Sequence, residues 1–370
     1  MAATLIGFTG IGLRAQSPES LALPAFWESA FAVRSGGGYK DNVFLSSTQP
    51  QGSAFLSAGG DFTAFRLAPE GPQFTFFAGG DANFFLSTQP ANNEYTAFAQ
   101  AQIEQDLSDN LTGWLALDYF YQDQIEDIAF LDPALSVTNI TTQATQVRGH
   151  TITLRPGLSR DLSRHWVLSL ETPVTRQYYV EPLDDYWNAG LKLTLGYSYG
   201  HSSQLSLGYE PSWRWYDNQP AQTISGTVIP GSELQQFRQI ANLTWRHHWD
   251  EVKRWRTLLK LGGSVVEENG GGFSDYAQLS GGAEIRYRAR RWEVSAEGRI
   301  LSYQYASQTV SATDPAKLRR TEWNAGLNFE RDITRHLRFL ASYQFEQALS
   351  NDAAETYTVN TVSASLQWEF

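Results

Sequence analysis

The connections between extended stretches alternate in length along nearly the whole chain, and few folds tolerate such a pattern. Short polar turns fall near 68–72, 106–110, 161–165, 200–203, 249–254, 288–291 and 332–336, with longer connections near 41–53, 87–94, 123–146, 180–185, 217–233, 267–275, 307–319 and 348–356. The stretches between them alternate apolar and polar residues with period two, as a strand with one oily and one wet face does. In 187–199, Trp187, Ala189, Leu191, Leu193, Leu195, Tyr197 and Tyr199 oppose Lys192, Thr194, Gly196 and Ser198. The runs are long for soluble sheets, whose strands average about five or six residues, and they match the roughly 9 to 11 that a tilted membrane strand needs. Short turns on one side and long loops on the other describe an outer-membrane barrel. The expected fold class is all-β, a single antiparallel transmembrane β-barrel of about 16 strands, with short periplasmic turns and longer extracellular loops.

Composition narrows the alternatives. No run of about 18 apolar residues is present, so no helix can span a bilayer. The 12 Trp and 17 Tyr suit a protein with two membrane interfaces to line. A net charge of -11 argues against electrostatic binding of nucleic acid. Without cysteine there is no disulfide, thiolate catalysis or Cys-held metal. The expected location is the bacterial outer membrane.

Domain organisation follows from the same pattern. Residues 1–16 read as a signal segment, an apolar run ending near Ala15 but lacking a positive start. Residues 17–29 read as a periplasmic N-terminal segment and 30–370 as the barrel. In the final stretch Val362, Ala364, Leu366, Trp368 and Phe370 share one face, and Leu366, Trp368 and Phe370 are the candidate C-terminal signal for the outer-membrane assembly machinery.

A barrel of roughly 16 strands is too wide for side chains to fill as a dry core, so the polar face is expected to line the lumen and the oily face to meet lipid. Trp166, Trp249, Trp255 and Trp292 beside short turns, and Tyr178, Tyr179, Tyr186, Trp187, Trp213 and Trp215 toward loop ends, are the candidate interface girdles. The expected lumen-facing basic residues are Arg148, Lys192, Arg214, Arg238, Arg246, Arg256, Lys260, Arg286, Arg299 and Arg338; the acidic ones are Glu210, Glu284, Glu293, Glu297, Glu330 and Glu346. The first five strands offer Asp61, Asp81, Glu104 and Asp118 and no expected inward Arg or Lys. Such a wall could guide an anionic solute or polymer, or the charges could pair across strands as stiffening. Phe77, Phe85, Trp114, Phe120 and Tyr216 also fall inward and could stack on sugar rings or pack against a plug.

Three turns, QDLSDNL, RDLSRHW and RDITRHL, are close variants in which Asp, and more weakly Ser or Thr, is the expected acceptor for backbone N–H groups. No catalytic residue, metal site or cofactor is expected. His247 and His248 point to opposite faces, and His150 has no G-x-S-x-G nucleophile motif beside it.

The stretch GGGYKDNVFLSS at 36–47, with Tyr39, Asp41, Asn42, Val43 and Phe44, together with the DLSRHW-type turns, resembles the outer-membrane β-barrel (porin-like) family associated with exopolysaccharide biosynthesis loci. The resemblance covers these motifs rather than the chain. It implies a role in passing or organising an extracellular polysaccharide, with that polymer and a periplasmic export partner as expected partners beside outer-membrane lipid. A general diffusion porin and a plugged structural or adhesion barrel acting through its loops stay open.

Overall fold

The computed structural model describes residues 26–67, 71–87, 93–127, 144–180, 183–200, 202–310 and 314–370. Eighteen strand segments run β1 (Phe26–Lys40), β2 (Ser53–Leu67), β3 (Gln73–Phe85), β4 (Asn93–Ser108), β5 (Leu111–Asp127), β6 (Ala144–Asp161), β7 (Trp166–Glu171), β8 (Val174–Tyr179), β9 (Tyr186–Gly190), β10 (Lys192–Tyr199), β11 (Ser203–Tyr216), β12 (Gln235–His248), β13 (Trp255–Glu268), β14 (Tyr276–Arg288), β15 (Trp292–Thr309), β16 (Lys317–Asp332), β17 (Leu337–Ser350) and β18 (Tyr357–Glu369). Successive strands pair antiparallel, and β1 pairs with β18 from Ala32↔Glu369 to Lys40↔Thr361, closing the sheet. No open edge is left along that seam.

The segments make sixteen staves, because β7 with β8 and β9 with β10 each form one stave broken in the middle. The expected continuous strands 166–179 and 186–199 are interrupted at 172–173 and at Leu191. Proline explains the breaks. Pro173 has no N–H to give the ladder, Pro156 on the adjoining β6 lies against that same break, and Pro211 on β11 lies against the break at Leu191. The carbonyls of all three still accept, from Thr172, Gly190 and Leu191, at 3.0 Å each.

Strand β1 starts at Phe26, ahead of the expected 30, and Phe26–Ala30 pairs with Thr63–Leu67 of β2. Residues 26–29 thus extend a stave rather than lead in to it, with Trp27 packed edge-on to Phe74 at 5.6 Å. The expected signal segment lies outside the described residues, as does most of the 123–146 connection.

The closed sheet identifies its own faces. Lys40 on β1 reaches Glu94 on β4 (3.2 Å), and Arg34 on β1 reaches Asp81 on β3 (2.9 Å). A side chain that skips a stave must cut a chord across the concave side, so the face holding Arg34, Lys40, Asp81 and Glu94 is the lumen. The opposite face is apolar and exposed through Phe31, Val33, Leu56, Leu117, Ile152, Leu193, Leu261, Leu279, Leu327 and Leu366, as lipid contact requires.

Aromatic rings bound that band. At the short-turn rim Trp166 packs on Tyr197 (4.8 Å), His247 on Trp249 (4.6 Å), Trp255 on Tyr287 (4.5 Å) and Phe370 on Phe31 (5.9 Å). At the long-loop rim Phe84 meets Tyr95 (6.1 Å), Tyr121 meets His150 (4.9 Å) and Trp213 meets Phe237 (4.8 Å). Tyr179 and Tyr186 leave the expected girdle: Tyr186 pairs with Tyr216 on the lumen side and packs with it and Leu234, and Tyr179 packs with buried Val147 and Leu183.

The turns RDLSRHW and RDITRHL fold alike by the weaker of the two expected acceptors, while in QDLSDNL Ser108 Oγ donates to Asn110 at 3.2 Å. The hydroxyl rather than Asp accepts the backbone: Ser163 Oγ from His165 and Trp166 (3.3 Å each), Thr334 Oγ1 from His336 (3.2 Å) and Leu337 (3.0 Å). His165 and His336 then each place Nδ1 at 3.1 Å from a carbonyl of the next stave, Ser198 and Glu369. The Asp side chains instead bind other side chains, Asp106 taking Thr112 Oγ1 at 2.7 Å and Asp332 taking Arg338 Nε at 2.9 Å.

Candidate functional site

The lumen wall divides by how its charges are satisfied. On the staves of β1 to β10, each inward cation has carboxylate company. Arg34 binds Asp61 and Asp81, Lys40 binds Glu94, and Arg155 binds Asp118 and, at 3.3 Å, Glu171, which also faces Lys192 at 3.9 Å. Arg34, Lys40 and Arg155 are lumen residues that the sequence reading missed, and β1 contradicts the expectation of no inward base on the first five strands. The signal was present: Phe31, Val33 and Tyr39 on the oily parity of β1 place residues 34 and 40 on the other.

On β12 to β15 the pattern changes. Register places Arg238, Arg246 and His248 on the lumen face of β12, Arg256 and Lys260 on β13, Glu284 and Arg286 on β14, and Glu293, Glu297 and Arg299 on β15. Arg256 binds Glu284, and Arg286 lies 3.5 Å from Glu293. Among the described residues Arg238, Arg246, Lys260 and Arg299 make no ion pair. Lys260 and Arg299 flank Gly282 in one row of the ladder, and both are exposed, so two cations border an open floor. The Nε atoms of Arg238 and Arg246 are buried without a hydrogen-bond partner.

The remaining expected residues have separate places. Arg214 stacks over Tyr186 at 4.2 Å and donates to the Tyr216 hydroxyl at 3.0 Å, while Glu210 sits on the same face opposite Ile240. Arg338 bridges Glu330 (3.6 Å), Asp332 (2.9 Å) and Glu369 (3.5 Å), and Glu346 accepts from the Tyr357 hydroxyl at 2.7 Å. Phe77, Phe85, Trp114 and Phe120 fall on the lumen parity. Leu366, Trp368 and Phe370 fall on the lipid face and are exposed.

Arg148 is the correction. It pairs opposite Asp123 on β5, on the face of Tyr121, His150 and Ile152, so it points away from the lumen. At the rim the outer face meets headgroups and water rather than acyl chains, so a charge there does not identify the lumen.

The two ends of the lumen differ. Inward residues near the long loops are buried on most staves, including Phe55, Phe85, Glu94, Gln177, Tyr216, Val266, Tyr303, Arg320 and Tyr357. Loop residue Val43, fully buried, packs with Phe55, Phe85 and Ile125. Its neighbour Asn42 donates to the Ser46 and Thr358 carbonyls (2.9 and 3.2 Å), and Asp41 accepts from the backbone and side chain of Asn360 at 2.7 Å each. The Tyr39–Phe44 motif therefore fastens the first loop across the β1–β18 seam and turns an apolar residue into the mouth. Toward the short turns, Lys260, Glu297 and Arg299 stay open to water.

Outside the wall Arg176 donates to Asp217 at 2.8 Å and holds that loop carboxyl below its usual range.

The fold is that of the outer-membrane porins. A BenF-like porin from Pseudomonas fluorescens Pf-5 is similar with TM-score 0.51 at 9% identity, covering 93% of this chain and 99% of that one. OccAB4 of Acinetobacter baumannii is similar with TM-score 0.51 at 9% identity, covering 95% and 99%. OccK9 (OpdG) of Pseudomonas aeruginosa is similar with TM-score 0.50 at 11% identity, covering 93% and 98%. No family model matches the chain, and no curated protein matches it.

Proposed function

We propose that the barrel is a channel for anionic solutes, and that its occupant is an anionic exopolysaccharide handed over by a periplasmic export partner. The observation that carries this is the uneven charge satisfaction of the wall. Pairing consumes the cations of β1 to β10, whereas Arg246, Lys260 and Arg299 are left for a permeating charge. A cation that keeps no protein partner in a water-filled lumen shapes the field that a solute feels. The polysaccharide rests on the resemblance of Tyr39–Phe44 and is the finer part of the proposal.

Reversal potential across a planar bilayer under a KCl gradient tests it. The wild-type channel is expected to prefer chloride, and R246E/K260E/R299E to shift preference toward potassium; an acidic oligosaccharide is expected to block the first more strongly than the second. Unchanged selectivity in the triple variant overturns the anion reading. The buried outer ends of the staves favour a second reading, a barrel closed at its extracellular mouth that acts through its loops, and a correctly folded protein that stays electrically silent would decide for it.

A further inference from the structure

Arg148 on the lipid face calls for its own account, because a charge on the outside of a membrane barrel is costly unless something there meets it. It sits on β6 two residues beyond His150, on the same face and so about 6.8 Å along the strand. His150 meets Tyr121 at a tilt with ring centroids 4.9 Å apart, and its Nδ1 lies 2.8 Å from the Tyr119 hydroxyl. These rings belong to the long-loop girdle, so Arg148 stands just beyond the apolar band, at the level of outer-leaflet headgroups.

The guanidinium is half committed. Nε donates to Asp123 at 2.9 Å, whereas among the described residues the two terminal nitrogens bind nothing, and the side chain is 52% exposed. His150 is exposed on the same face. Two donors on one edge suit a tetrahedral oxyanion, for which a guanidinium is the matching shape.

Next to them the wall is hollow. A depression of about 540 Å³ is lined by Ala58, Gly80, Ala82 and Ala97, bordered by Tyr95 and Tyr121 and overhung by Asp123 and Arg148. Its floor is made of small side chains on three adjoining staves: Ala58 pairs with Ala82, and Gly80 with Ala97. Leu56 and Phe84 stand exposed on its loop side and Phe62 and Tyr119 on its other side, so this floor lies lower than its borders. A shallow depression floored by alanine and glycine and ending under an arginine suits one acyl chain with its phosphate.

We propose that this outer surface of β2 to β6 is a binding site for a phosphorylated lipid of the outer leaflet, lipid A, with one acyl chain in the Ala/Gly trough and one phosphate on Arg148 and His150. The lipid is a structural partner of the wall, independent of what passes through the lumen.

Native mass spectrometry of the folded, detergent-released protein with bis-phosphorylated lipid A tests the site, with heat-modifiable migration confirming that each variant is folded. One retained lipid is expected. Loss of a charge-assisted phosphate contact in R148Q is expected to lower retention about tenfold. A97L keeps the charge and fills the trough, and is expected to lower retention as well; a leucine facing lipid does not disturb the barrel. Retention of dephosphorylated lipid A as strong as that of the parent, or equal retention by R148Q, overturns the phosphate contact. Equal retention of phosphatidylglycerol overturns the assignment to lipid A, and a dimer with no bound lipid would show that the trough takes a second copy instead.

Discussion

At the residue scale, the turn between β12 and β13 shows how a single carboxylate shapes a connection. Asp250 accepts the backbone N–H of Trp255 at 2.9 Å, and this bond and that of Arg254 hold its carboxyl below the usual aspartate range. A depressed folded value means the contribution to stability is present above the unfolded value and fades as pH falls through the folded one. D250N is therefore expected to unfold at a lower temperature than wild type at neutral pH, the two converging in acid, and heat-modifiable migration across a pH series reads the difference. A constant gap at every pH would show that the Asp250 charge is not what holds the turn. Residue identity was less legible than residue parity. Ile152, Leu154 and Leu158 already place the even positions of β6 outside, so parity assigns Arg148 to the lipid face, and only its charge argues for the lumen. The loss of Tyr179 and Tyr186 from the girdle is the same lesson, since an aromatic near a loop end can serve either side of the wall.

At the element scale, loop glycines do specific work. Gly271 lies under the 217–234 connection: its N–H donates to the Gln222 carbonyl at 2.6 Å, and a Cβ there would come within 2.2 Å of the Ile224 nitrogen. Nothing but glycine lets the two loops lie this close. G271V is expected to lift residues 222–226 while leaving the staves intact, so limited proteolysis should cut the variant within that loop at protease levels that spare wild type. Equal resistance would mean that the buried Ala221 and Leu234 anchor the loop without the close approach. The alternation that announced sixteen staves carried no such information about loops. Period two reports which face a side chain takes, whereas a loop docking on another loop depends on distant partners such as Gln222 and Gly271. The proline breaks could have been read, because Pro156, Pro173 and Pro211 sit inside runs that otherwise look continuous.

At the scale of the whole molecule, those prolines gather on one side. They occupy β6, the break between β7 and β8, and β11, within four consecutive staves, so three amide donors are absent from a single quadrant of the wall. Backbone amides of the short segments β8 and β9, each cut off by a break, are expected to exchange with deuterium faster than those of mid-stave β13 and β14; equal protection in both regions would show that the remaining rungs make up the loss. A hoop that lacks rungs along one arc has a crease, and a creased hoop ovalises there first when squeezed. The cations without an ion pair among the described residues stand on the staves beyond that crease, so a squeeze taken up by the crease would leave the charged rail with its spacing least changed.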